Sequence, residues 1–100
     1  MYGTIAHFYI HPGTADDFIK TMDSFGNAMI DGWVADYYFQ TDANPNEFFL
    51  VAIFANKETY QLNADSAEQH DRYLKFRSFL IADPEWHDGF IRSATGPGTK

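Results

Sequence analysis

The sequence has no cysteine in its 100 residues. Disulfides, thiolate nucleophiles and cysteine-ligated zinc or iron–sulfur sites are therefore excluded. Basic residues are scarce: Lys and Arg number 7 against 14 Asp and Glu, a formal net charge of -7. With no Lys/Arg cluster there is no electrostatic footprint for a phosphate backbone, which excludes nucleic acid as a partner. Anionic membrane surfaces are disfavoured for the same reason. No apolar run approaches the ~18 residues of a membrane span. The opening Met1-Tyr2-Gly3-Thr4-Ile5 lacks the basic-then-apolar layout of a secretion signal, so the expected location is the cytoplasm. Also missing are a glycine-rich phosphate loop, a Ser-His-Asp or Cys-His arrangement, an internal repeat and a linker.

Aromatic residues are abundant, with 10 Phe, 6 Tyr and 2 Trp. Such a load in a short chain fits a thick core, a ring-lined pocket or a buried subunit contact. Tyr2 to His11 reads as a strand, aromatic and β-branched, stopped by Pro12-Gly13. Thr14 offers a helix cap, and Phe18, Met22, Phe25 and Met29 form one apolar stripe up to Asp31-Gly32. Trp33 to Thr41 and Glu47 to Ala55 read as a hairpin around the turn cluster Asp42-Ala43-Asn44-Pro45-Asn46. Asn56 to Asn63 suggests one or two helical turns. Ser66, with Gln69 at the capping-box position, opens a longer helix that Asp83-Pro84 stops. Gly89 to Ala94 reads as a short last strand, and 95–100 as a flexible tail.

The order β-α-β-β-α-β predicts a single α+β, ferredoxin-like domain over 1–94: a four-stranded antiparallel sheet with its helices on one face. The third strand is apolar on both sides, with Phe48, Leu50, Ala52 and Phe54 on one and Phe49, Val51 and Ile53 on the other. Two helices cover only one face. A homodimer through the other face is the expected solution.

Several segments carry a family resemblance: Met1-Tyr2-Gly3-Thr4-Ile5-Ala6, Pro12-Gly13-Thr14, Leu50-Val51-Ala52-Ile53-Phe54 with Lys57-Glu58-Thr59-Tyr60, Asn63-Ala64-Asp65-Ser66, and Asp83-Pro84-Glu85-Trp86-His87-Asp88-Gly89. In these the chain resembles the antibiotic biosynthesis monooxygenase domain family of dimeric α/β-barrel proteins. The resemblance implies oxidation of aromatic phenols to quinones by dioxygen without a bound flavin or metal, the deprotonated substrate supplying the electrons. It also implies a pocket between helices and sheet, for which Ala6, Phe8, Tyr60, Asn63 and Phe76 are the expected lining; the residues used by the quinone-forming members do not map onto this chain, and His70 and Tyr73 are the catalytic candidates from their helix face alone. A non-catalytic dimeric module that binds a small molecule or serves a stress role is the alternative.

The haem-degrading branch of the family uses an Asn, a Trp and a His. Ala6 stands where that Asn would be. With the helix start set by Ser66, Asn63 and Tyr73 stand for the Trp and the His; another register offers Tyr60 and His70. The set is incomplete in either register, so no cofactor is expected and haem is the lesser alternative.

His70 shares a helix face with Tyr73, and an imidazole's ordinary pKa near 6.5 suits proton abstraction from a phenol. His7 and His11 lie on one strand ~13 Å apart and cannot share a zinc ion. They are expected to be polar lining of the open sheet face. Asp83 to Asp88 gathers acids and His87 at a spacing that matches no chelating motif. It reads as a structured loop anchored by Trp86, and no metal site is expected.

Overall fold

The computed structural model describes residues 1–98. Strand β1 covers Tyr2–Tyr9, and Ile10 continues it as a single bridge to Leu80. Helix α1, Ala15–Asp23, buries Phe18 and Met22. Thr14 does not cap it with its side chain: the hydroxyl donates to the His11 carbonyl at 2.6 Å. The stripe expected to reach Met29 stops early. The chain tightens into a 3-10 turn at Ser24–Asn27, and Ala28 is extended. Phe25 stays against the core, whereas Met29 is fully exposed.

Gly32 then turns the chain at φ 77°, where a side chain would also run into Thr59. Strands β2 (Trp33–Gln40) and β3 (Glu47–Phe54) form the expected hairpin. Thr41 and Asn44 side chains bond the backbone of its turn. Helix α2, Lys57–Ala64, is capped by Asn56, whose Oδ1 accepts from the Thr59 amide at 2.8 Å. Helix α3, Ala67–Ser78, is capped by Ser66, whose Oγ accepts from the Gln69 amide at 3.1 Å. The Gln69 side chain does not return to Ser66. It accepts from Arg72 instead.

The last strand, β4, covers Glu85–Phe90, four residues earlier than the sequence suggests. The segment read as a loop around Trp86 is therefore most of this strand. An edge strand leaves one side in water, so its charged residues need no burial. Residues 95–98 follow without helix or strand; positions 99 and 100 of the expected tail lie outside the described residues.

The sheet is antiparallel throughout in the order β2-β3-β1-β4, the ferredoxin-like arrangement. Even-numbered residues of β1 face the helices. Phe8, Phe48, Leu50 and Ala6 pack there with Phe18, Met22, Phe76 and Leu80 in one core. The opposite face has no cover within the chain: Ile5, Tyr37 and Phe39 are exposed, and Phe49, Val51 and Ile53 half-buried. His7 lies on this face, stacked on Phe49 and bonded to Glu47 at 2.7 Å.

Candidate active site

The register explains why the helix-facing side of the sheet is hollow at one end. Asp36 pairs with Ala52, Ala52 with Thr4, and Thr4 with Asp88, so these four residues form one row across the sheet. In the row at Phe8 and Phe48, large rings fill the space under the helices. In the Asp36-Ala52-Thr4-Asp88 row the two central side chains are small. The result is a cavity of about 510 Å³ between sheet and helices.

Its walls are mostly rings. Phe54 and Tyr60 meet edge to face at 5.6 Å, and Tyr73, Phe76 and Trp86 form a tilted group with centroids 6.1 to 6.4 Å apart. Trp33, Tyr38 and Phe25 close the side toward α1.

The polar groups are few, and most are held. At one edge of the row, the Trp33 indole donates to Asp36 Oδ1 at 3.0 Å. Asp36 reaches water through the open cavity but is ringed by protein atoms, and that desolvation pushes its pKa above the ordinary value despite the indole bond. At the other edge, the Tyr60 hydroxyl donates to Asp88 Oδ1 at 3.1 Å. Burial first, and then the Asp88 charge, push the Tyr60 phenol up to about 12. Burial and the negative charges of Asp36 and Asp23 raise Tyr38 further still. Neither phenol therefore ionises near neutral pH.

Between the two edges lies the Thr4 hydroxyl. It is buried, and it makes no hydrogen bond. It is near enough to Tyr60 to temper the rise of that phenol, but the two are not aligned as donor and acceptor. Thr4 lines the cavity, but its hydroxyl has no open surface there, so a ligand oxygen meets it only when a neighbouring side chain moves aside.

Of the candidates expected from sequence, His70, Tyr73, Tyr60, Asn63 and Phe76 all line this cavity. His70 is exposed at the mouth rather than partly buried. Ala6 and Phe8 do not line it. Ala6 is fully enclosed and Phe8 is 2% exposed, both in the packed core one and two rows away. The row at Thr4 is the hollow one; Ala6, beside its strand partner Leu50, belongs to the packed core, and Phe8 packs on Phe18 and Phe48.

Of the positions that stand for the haem-branch residues, Ala6 is sealed in the core, while Asn63 and Tyr73 of one register and Tyr60 and His70 of the other all line the cavity. Among the described residues no group of three His, Asp or Glu side chains converges as a metal site.

Sequence reasoning missed Thr4, Trp33, Asp36, Arg72, Trp86 and Asp88. For Asp36 a signal was present: alternation along Ala35 to Gln40, past the irregularity between Trp33 and Ala35, puts it on the same side as Tyr38, a carboxylate facing the helices. Arg72 follows Gln69 by three residues, the spacing at which helix side chains meet. Trp86 and Asp88 were hidden by reading their segment as a loop.

A family model described as antibiotic biosynthesis monooxygenase matches residues 1–77. No curated protein matches the chain. Solved structures with the same fold include SnoaB from Streptomyces nogalater, a cofactor-independent oxygenase, with TM-score 0.80, 13% identity and coverage of 93% of this chain and 94% of that one. A candidate antibiotic biosynthesis monooxygenase from Chloroflexus aurantiacus has TM-score 0.76 and 20% identity over 97% and 98% of the two chains. One from Nitrosomonas europaea has TM-score 0.78 and 12% identity over 95% and 93%.

Proposed function

The chain belongs to the antibiotic biosynthesis monooxygenase family, and from that premise we propose that it is a cofactor-independent monooxygenase acting on a small aromatic phenol. The observation that carries this reading is the ring-lined cavity with an unpartnered hydroxyl, Thr4, at its floor. Its volume exceeds that of a two- or three-ring aromatic, and its walls offer faces and edges for stacking. The cofactor-independent oxygenase SnoaB, which shares the fold, supports the reaction class.

In this reading the phenol lies among Phe54, Tyr73, Phe76 and Trp86 with its hydroxyl toward His70. His70, at the mouth, accepts the proton that leaves the substrate, and the Tyr73 hydroxyl donates to a substrate oxygen. The resulting anion passes electrons to dioxygen, which the reaction consumes as co-substrate. One oxygen atom bonds to a ring carbon. The other leaves as water with the one hydrogen that carbon carried and the proton taken from the phenol, and the ring becomes a quinone. Closing rings around the anion keeps out water that would quench it.

The unit proposed to act is a homodimer joined through the open sheet face. Ile5, Tyr37 and Phe39 together make an apolar patch there that a lone soluble chain avoids.

The test is oxygen uptake with anthrone-type substrates and with phenols whose para position is unsubstituted. Uptake above the enzyme-free rate is expected, slowed about 100-fold in His70→Ala, the lower end of what a positioned base contributes. If no phenol is turned over while the same compounds raise the melting temperature, the chain is a binding module. A shifted haem absorption band on titration would revive the haem alternative.

A further inference from the structure

Arg72 is the one Lys or Arg side chain among the residues lining the cavity, and it has no ion pair. Among the described residues the ion pairs are His7 with Glu47, Arg77 with Asp83 and His87 with Glu85. Arg72 Nε donates to Gln69 Oε1 at 3.0 Å, and Nη2 donates to Asn63 Oδ1 at 3.2 Å. Both acceptors are neutral amide oxygens. They aim the guanidinium without neutralising it. A guanidinium has five N–H donors; with these two engaged, three remain.

Two carboxylates line the same cavity, Asp36 bonded by the Trp33 indole and Asp88 by the Tyr60 hydroxyl; these neutral donors leave their charges in place, but neither carboxylate pairs with Arg72. Asp31 and Glu68 lie with Arg72 along a shallower neighbouring cleft, but neither reaches it as an ion pair. A part-buried cation with unused donors beside an apolar volume favours an anion there. The flat fork of donors matches a planar pair of oxygens.

We infer that the ligand of this cavity is an aromatic compound that also bears a carboxylate, which Arg72 holds. The inference rests on the aromatic-cavity reading above and adds the ligand's charge to it. Asn63 and Gln69 are positioning residues, since they act through Arg72.

Calorimetric titration with 2-naphthoate and 2-naphthamide tests this directly, since the two share a ring system and differ in charge. The native chain is expected to bind the acid at least tenfold more tightly than the amide, with the gap narrowing as salt is raised. The preference should vanish in Arg72→Gln and survive in part in Arg72→Lys, with all three chains checked by thermal melting. Equal affinity for acid and amide in the native chain overturns the inference, yet leaves an aromatic cavity standing. A preference that persists undiminished in a folded Arg72→Gln also overturns it. If neither compound binds, the aromatic-cavity reading falls, and this inference with it.

Discussion

A buried hydroxyl without a partner costs a folded chain about 1–3 kcal/mol, and Thr4 carries one at the cavity floor. If a ligand oxygen meets that hydroxyl, Thr4→Val has two opposite effects. The ligand-free variant melts higher than the native chain, by about 1 kcal/mol or more of stability, and phenols bind about tenfold more weakly. Thermal melts with and without a bound phenol check both; a lower melting point with unchanged binding would contradict the assignment. Asp36 supplies a pH-dependent counterpart. Its folded pKa is raised by desolvation, so its favourable contribution is present below the ordinary carboxylate pKa and is lost as pH rises through the folded value. Asp36→Asn keeps an acceptor for the Trp33 indole and removes that loss. The variant should therefore melt higher than the native chain at about pH 8, with the difference shrinking toward about pH 4. Glu47 behaves in the reverse sense. Its bond to His7, ahead of those to Tyr9 and Thr41, lowers its pKa, so its contribution is held at neutral pH and lost on acidification.

At the scale of elements, α3 carries His70, Arg72, Tyr73 and Phe76 to the cavity, and Ser66 fixes where that helix starts. Ser66→Ala should cost about 1 kcal/mol in denaturant unfolding, with no change in the slope of the transition. The hollow itself depends on the small side chain of Ala52 in the middle of β3. Ala52→Leu should leave the fold intact and abolish binding of two-ring aromatics, as titration calorimetry would reveal. The sequence made the hairpin and the α3 cap legible because both rest on local chemistry: turn residues between two apolar runs, and a hydroxyl three residues before its amide partner. It made α1 legible only in part. The apolar spacing continues to Met29, but spacing cannot show that the backbone tightens at Ser24 and turns away at Ala28. Strand β4 was displaced for a different reason. Glu85, His87 and Asp88 look like a loop, and only pairing with β1 makes an edge strand of them. The cavity was half legible. Helix periodicity points His70, Tyr73 and Phe76 inward, but which row of the sheet is left unfilled depends on register across four strands. Ala6 and Phe8 were therefore placed in the lining when Thr4 belongs there.

For the molecule as a whole, the two faces of the sheet have different tasks. One face packs a core and leaves a cavity under the helices; the other presents Tyr37, Phe39 and Ile5 to solvent around the His7–Glu47 pair. Sedimentation should find the native chain as a dimer and Phe39→Glu as a folded monomer, because a charge within an apolar contact is not tolerated. A native chain that sediments as a monomer would contradict the proposed assembly. The central claim is that oxygen from dioxygen enters an aromatic ring held in this cavity. Mass spectrometry of the quinone formed under isotopically heavy dioxygen tests it most directly. The account predicts one heavy oxygen atom in each quinone produced above the enzyme-free rate. Quinone that carries only light oxygen, or no quinone above that rate from any phenol that binds, would contradict it.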